Sequence, residues 1–120
     1  MGYYDLKKLE NTGEDKTALE KKHVPYIQCP DKVKKGEYFE VKVTFGKEIT
    51  HPMGPDHYIQ HFDLDAEYTN LARVEFTPEM KAEATLNVKL EESCKLRVYA
   101  FCNLHGHWEG YKEVEVEVVE

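Results

Sequence analysis

Apolar and polar residues alternate along much of this chain. In the stretch 37–45, every second residue is apolar, namely Phe39, Val41, Val43 and Phe45. A period of two places one face of a β-strand in a core and the other face in water. Similar stretches lie at 24–28, 57–68, 71–76, 82–90, 94–101 and 112–119. The sequence therefore predicts about seven strands.

Turn-forming segments separate the predicted strands, among them "CPDKVKKGE", "GKEITHPMGPD", "TPEM" and "NLHGHWEG". Short strands joined by glycine, proline and aspartate turns are typical of antiparallel sandwiches and barrels. The 120 residues are enough for one domain, and an immunoglobulin-like sandwich needs about 100. We therefore predict an all-β, immunoglobulin-like antiparallel β-sandwich at residues 21–120, preceded by an N-terminal arm at residues 1–20.

Charge and composition narrow the set of partners. The formal net charge of −7 argues against nucleic acid, because binding to phosphates depends on Lys and Arg. No apolar run approaches the roughly 20 residues of a membrane span, and the first residues lack the apolar segment of a secretory signal. The three cysteines are an odd number without a close pair, which fits a reducing compartment. We expect a cytoplasmic protein.

The six histidines are not scattered along the chain. All except His61 lie in or beside predicted turns or strand edges: His23, His51, His57, His105 and His107. A single surface histidine is ordinary, but loops on a rigid sandwich commonly carry functional residues. Five histidines in such loops, with a cysteine beside two of them, indicate a site.

The spacing of these residues favours metal binding. Cys102 and His105 are three residues apart and are followed by a glycine, so a turn can direct a thiolate and an imidazole to one point. His51 and His57 lie at the two ends of a seven-residue loop with two prolines. Proline restricts the backbone, so this loop can orient both imidazoles in advance.

The donor types restrict the choice of metal. Structural zinc prefers four ligands and usually more than one cysteine. Blue copper uses a weak axial methionine, normally soon after the last histidine. All three methionines precede Cys102 here, so a copper site would lack this ligand unless Met53 provides it. A nucleophilic cysteine with a histidine base would not need the other histidines. Five nitrogen and sulfur ligands suit a redox-active iron with one position left open.

Three motifs occur in order along the chain: "KHVP" at 22–25, "GKEITHPMGPDHYI" at 46–59 and "CNLHGHWE" at 102–109. Together they closely resemble the superoxide reductases, the neelaredoxin and desulfoferrodoxin family. The resemblance runs from about residue 20 to the C-terminus. It implies one mononuclear non-haem iron per chain, with four equatorial histidines and an axial thiolate. The implied ligands are His23, His51, His57, His105 and Cys102.

The resemblance also implies an activity, which is the one-electron reduction of superoxide to hydrogen peroxide. An external donor, typically rubredoxin, would return the iron to the ferrous state, and short members of the family are commonly homotetramers. Lys22 matches the family's lysine that attracts superoxide and organises a proton-donating water, so it is the predicted catalytic residue. The alternative function is a non-catalytic metal-binding or gas-sensing sandwich.

Some residues depart from the family pattern or lie outside the implied ligand set. Lys21 stands where the usual motif "EKHVP" has a glutamate that binds the oxidised iron, and Glu20 is one residue further away. Either a flexible loop lets Glu20 reach the iron or this carboxylate ligand is missing, and we expect it to be missing. His61 is expected to be structural and to pack or hydrogen-bond within the sandwich. His107 is expected to lie on the surface or beside the ligands, and Trp108 to be a core or site-covering aromatic.

Overall fold

The computed structural model describes residues 23–46 and 51–118. These residues form eight strands: β1 (Pro25–Gln28), β2 (Lys32–Lys34), β3 (Phe39–Phe45), β4 (Ile59–Ala66), β5 (Thr69–Glu75), β6 (Glu83–Val88), β7 (Cys94–Cys102) and β8 (Gly106–Glu117). One sheet has the order β1-β3-β6, and the other has the order β2-β8-β7-β4-β5. The predicted all-β immunoglobulin-like sandwich is confirmed. The predicted arm at residues 1–20 lies outside the described residues, so the domain division stays a prediction.

The alternation of apolar and polar residues decides which side of each strand is buried. In β3, Val41 and Val43 are completely buried and Phe45 is nearly so, whereas Glu40 is exposed. β3 pairs antiparallel with β1 and with β6. The predicted strand at 37–45 therefore forms the middle of the three-stranded sheet, with its apolar face turned into the sandwich.

β7 is the central element of the larger sheet, where it pairs antiparallel with β4 and β8. Its inward-facing side chains form a row of buried residues: Leu96, Val98, Ala100 and Cys102. Burying a valine or leucine side chain contributes about 1.5–3 kcal/mol. The thiol of Cys102 therefore ends a row that holds the sandwich together, and the core extends to this end of the molecule.

Two details differ from the sequence prediction. The segment Lys32–Lys34 was predicted as a turn but forms the short strand β2, which pairs parallel with β8. β8 starts at Gly106 rather than at residue 112. Trp108 and Gly110 are buried inside it, because the inward alternation continues through the stretch that its glycines had marked as a turn.

Within residues 23–46 and 51–118, no helix is both long and apolar enough to cross a membrane.

Candidate metal centre

The predicted ligands are carried by segments that meet at one end of the sandwich. His23 lies two residues before the start of β1, and His51 and His57 lie between β3 and β4. Cys102 is the last residue of β7, and His105 lies in the turn to β8. The register places the start of β4 opposite the end of β7, with Ile59 facing Cys102, and Cys102 faces Gly106 of β8.

Four of the five predicted donors form a compact cluster. One ligand atom from each of His23, His51, His57 and Cys102 lies within 4.8 Å of every other. The fifth donor, His105, directs its Nδ1 at Nε2 of His23 over 3.2 Å. The structure thus brings together all five residues that the resemblance had implied as ligands.

The four imidazoles surround a common centre. Around the cluster, the ring centroids are 4.6 Å apart for His23 and His51, 4.7 Å for His51 and His57, 4.9 Å for His57 and His105, and 4.8 Å for His105 and His23. Neighbouring rings are steeply inclined, with interplanar angles of 68° to 85°. Across the cluster, the centroids of His23 and His57 are 5.7 Å apart. The rings therefore form a closed quadrilateral in chain order.

Contacts around the cluster select which ring nitrogens face inward. Nδ1 of His51 donates to the backbone carbonyl of Pro52 over 2.6 Å. This hydrogen bond fixes the proton on Nδ1 and leaves the lone pair of Nε2 available to a metal. His105 presents Nδ1 instead, because that atom faces His23.

The donor set fits a single transition-metal ion. Two ligands at right angles, each about 2.1 Å from a metal, lie about 3 Å apart, close to the 3.2 Å between the facing nitrogens of His105 and His23. At that spacing the two nitrogens either share one proton or direct both lone pairs at one ion. Imidazole and thiolate suit iron, copper and zinc. Five such donors exceed the four of structural zinc and would suit an iron with one further position for a small ligand.

One side of the cluster is closed by the core. His23 and Cys102 are fully buried and His51 is 2% exposed, whereas His57 and His105 are half-buried. Trp108 is 1% exposed and stacks on His23, with ring centroids 4.8 Å apart. Trp108 was predicted to be a core or a site-covering aromatic, and it is both. Among the proposed ligands that the structure describes, His57 and His105 are therefore the most exposed to solvent.

The remaining histidines lie on a different surface. His61 and His107 flank Phe101, with centroid distances of 6.0 Å and 4.8 Å. Phe101 and Cys102 are adjacent on β7, so their side chains point to opposite faces of the sheet. His61 and His107 therefore pack on the outer face, away from the cluster. The surface position expected for His107 agrees with this, whereas the expectation that His61 packs within the sandwich is wrong. Lys22, the predicted catalytic residue, lies outside the described residues.

The other cysteines are separate from the centre. Burial raises the pKa of the Cys29 thiol and of the Cys94 thiol. Cys94 starts the same strand that Cys102 ends, about 26 Å away at 3.3 Å per residue.

Sequence reasoning missed Asn103, whose backbone and side chain make hydrogen bonds to residues beside His57. Its position in a turn between two predicted ligands was the sequence feature that could have identified it.

Fold and donor set together define a β-sandwich metalloprotein with a mononuclear histidine and cysteine centre. Comparison with known proteins agrees, because the sequence model of the Desulfoferrodoxin family matches residues 15–111. The chain belongs to this family. A relative from Methanocaldococcus jannaschii is 45% identical over 111 residues, which cover 89% of this chain and 94% of the relative.

Two further relatives are named for an activity. The superoxide reductase of Pyrococcus abyssi is 37% identical over 106 residues, covering 80% of this chain and 88% of its own. The solved structure of the superoxide reductase (neelaredoxin) from Ignicoccus hospitalis superposes with a TM-score of 0.80 at 32% identity. That match covers 98% of this chain and 100% of the Ignicoccus chain.

Proposed function

We propose that this protein is a superoxide reductase. In the reaction, superoxide takes up one electron and two protons and becomes hydrogen peroxide. The observation that carries the proposal is the convergence of four imidazoles and one thiol at one end of a sandwich whose family members include superoxide reductases. A structural zinc site would require fewer donors.

The proposed ligands are the four histidines His23, His51, His57 and His105, together with the thiolate of Cys102. When bound, a mononuclear iron would supply the single electron and an open position for an anion. Neutral imidazoles leave most of the ion's positive charge uncompensated. The chain as a whole carries a net charge of −7, so this local positive charge is what would draw superoxide in.

The surrounding residues hold the donors in place and keep water from the core side. Trp108 packs its ring against His23, and the Pro52 carbonyl orients the imidazole of His51. We assign Lys22 as the residue that attracts superoxide and organises the proton-donating water. Support for this role comes from the "KHVP" motif and from its position next to the buried His23.

We further infer an electron donor, an oligomeric state and a compartment for this protein. An external one-electron donor must restore the reduced state after each turnover, and the family resemblance favours rubredoxin. The same resemblance favours a homotetramer. A cytoplasmic location is proposed because Cys102 binds a metal only as a reduced thiolate. Titration of the oxidised protein with reduced rubredoxin, and its sedimentation velocity, test the donor and the oligomer.

The activity is tested by adding superoxide to the iron-loaded, reduced protein under anaerobic conditions. We expect one equivalent of superoxide to oxidise one equivalent of protein and to yield one equivalent of hydrogen peroxide. Zinc-loaded protein is the matched control, because zinc has no redox chemistry, and it should consume none by this route. A reduced protein that stays reduced would overturn the proposal and favour the non-catalytic alternative, and release of dioxygen would indicate dismutation instead.

A further inference from the structure

Asn103 connects two of the ligand-bearing segments. Its Oδ1 accepts a hydrogen bond from the backbone N–H of Tyr58 over 2.9 Å, and its Nδ2 donates to the backbone carbonyl of Asp56 over 3.1 Å. Its own backbone N–H donates to the carbonyl of Tyr58 over 3.2 Å. A single residue therefore makes three hydrogen bonds to a segment that is 45 to 47 positions away in the sequence.

The residues joined by these hydrogen bonds lie directly beside two proposed ligands. Asp56 and Tyr58 are the two neighbours of His57, and Asn103 is the neighbour of Cys102. The amide thus holds the backbone on both sides of one proposed ligand against the backbone that carries another. Because a side chain's direction follows from its backbone, these bonds fix how the His57 imidazole is aimed relative to the Cys102 thiolate.

The sheet alone does not supply this constraint. The register between β4 and β7 ends at Ile59 facing Cys102, and it is irregular between Ile59 and His61. His57 lies before the strand, where its backbone bonds to Gly54 within the same loop over 3.0 and 3.1 Å. That bridge shapes the loop but does not tie it to β7. The Asn103 amide extends the connection between the two segments beyond the end of the ladder.

We propose that Asn103 is a positioning residue for the metal centre, which sets the angle between the His57 and Cys102 donors. The proposal deepens the proposed function, since it rests on the same ligand set. The role requires an amide, because the side chain must accept from an N–H and donate to a carbonyl at once. A carboxylate keeps the acceptor but loses the donor and faces the Asp56 carbonyl with negative charge.

The test compares Asn103→Ala and Asn103→Asp with Asn70→Ala in the full-length protein. Asn70 is a matched control: its Nδ2 donates to Asp65 over 3.0 Å, to the Ala72 carbonyl over 3.3 Å and to Asp63 over 3.4 Å. It pairs with Asp65 near the far end of β4, about 20 Å along the strand from Ile59. Both asparagines are exposed, so both substitutions remove surface hydrogen bonds of similar number.

The measurement uses Co²⁺ alone, added to metal-free protein in competition with a chelator, together with the thiolate-to-cobalt absorption band. Loss of a partner that orients metal ligands typically weakens metal affinity about 10- to 100-fold, and we expect this loss and a shifted band for Asn103→Ala. Asn103→Asp should lie between it and the wild type. Asn70→Ala should bind Co²⁺ as the wild type does, even if the melting temperature of its metal-free form falls equally.

Wild-type affinity and an unshifted band in Asn103→Ala would overturn the positioning role, as would an equal loss in Asn70→Ala. If Asn103→Ala does not fold, Asn103→Asp decides in the same way, because it keeps the bond to Tyr58. The cobalt measurement is independent of superoxide. A failed superoxide reaction with the expected cobalt result would therefore remove the proposed function and leave the positioning role intact.

Discussion

Cys102 differs from the other two thiols in its surroundings. Cys29 and Cys94 are half-buried, and burial raises the pKa of each thiol. Cys102 is fully buried yet lies within 4.8 Å of three histidine nitrogens. Metals bind the thiolate rather than the thiol. The three cysteines of the chain therefore divide into two packing residues and one proposed ligand.

Replacing the proposed thiolate ligand should remove its spectroscopic signature. We expect Cys102→Ser to abolish the sulfur-to-iron charge-transfer band of the oxidised, iron-loaded protein, because an oxygen donor has no such transition in the visible range. The absorption spectrum after chemical oxidation measures this. Cys94→Ser is the matched control on the same strand and should keep the band. An unchanged spectrum in Cys102→Ser would contradict the ligand assignment.

Lys22 is proposed to act through its charge, which gives a kinetic prediction. Lys22→Glu should slow the bimolecular reaction with superoxide by about tenfold or more and weaken its dependence on ionic strength, because the local field attracts the anion. Pulse radiolysis at several salt concentrations measures both effects. Lys34→Glu is the control. It changes the charge equally, but at the end of β8 remote from the proposed ligands, where Lys34 pairs with Glu117. Equal rates in the two variants would exclude a specific role for Lys22.

Close packing of two strands positions the first ligand. A Cβ added to Gly110 of β8 would lie 2.6 Å from the carbonyl oxygen of Pro25 and 2.9 Å from its Cγ. Pro25 starts β1 and follows His23 by two residues. The absence of a side chain at Gly110 therefore lets the segment that carries His23 approach β8.

Gly110→Ala should push these two strands apart. We expect a loss of about 1–3 kcal/mol in the free energy of unfolding, the usual range for overpacking, together with weaker metal retention through displacement of His23. Urea unfolding and chelator competition measure the two effects. Gly54→Ala is the control, because an added Cβ there meets no atom within 4 Å. Equal stability of both variants would show that β1 adjusts without cost.

An ion pair across β4 and β5 gives the fold a dependence on pH. Arg73 donates to both carboxylate oxygens of Asp63, from Nε over 2.9 Å and from the terminal guanidinium nitrogen over 2.8 Å. These hydrogen bonds are the main cause that lowers the pKa of Asp63. A lowered pKa in the folded state means that the pair stabilises the fold above the unfolded value, which is about 3.9. The contribution disappears as the pH falls through the lower, folded value.

Arg73→Gln should therefore be less stable than the wild type near pH 7, and the difference should narrow as the pH falls below about 4. Urea midpoints measured between pH 7 and pH 2.5 show the trend. Asp63→Asn removes the titrating group itself and should show the same narrowing. A difference that stays constant over this range would mean that the arginine acts by packing alone.

The alternation of residues predicted most strands correctly, and its failures have physical reasons. The stretch 37–45 was correctly predicted because Val41 and Val43 face a core while their neighbours face outward. β2 was missed because only Val33 of its three residues is buried, so no period can be detected. Its parallel pairing with β8 depends on contacts distant in sequence. The start of β8 was missed because Gly106 and Gly110 indicate a turn.

The site was more predictable in its residues than in its construction. The family resemblance carried by the three motifs implied five ligand side chains, and the structure brings them together. The nitrogen that each ring presents depends on neighbours such as the Pro52 carbonyl, which no spacing reveals. Asn103 was missed for the same reason, since its partners are 45 to 47 positions away in the sequence.

The molecule as a whole is built on a single apolar core that extends well beyond the proposed ligands. The buried apolar residues form one cluster that runs from Val33 and Leu90 through Phe62 to Cys102 and Trp108. The proposed ligands occupy one end of this cluster and come from strand ends and loops. Small metal domains without such a core are unfolded when the metal is removed. When the metal is removed from this protein, we expect the sandwich to persist and only its ligand-bearing end to become less ordered.

Metal removal tests this expectation for the complete chain. After chelation, the far-ultraviolet circular dichroism should keep its β-sheet signal, whereas the melting temperature should fall. A ligand at 1,000 times its dissociation constant stabilises a fold by about 4 kcal/mol, which for a domain of this size corresponds to a shift of about 10 °C or more. Restoring Fe²⁺ under anaerobic conditions should restore the melting temperature, and less completely in acid, because protons compete for the imidazoles and the thiolate. Loss of the β-sheet signal on chelation would show that the metal organises the fold, and an unchanged melting temperature would show that the five donors hold no ion.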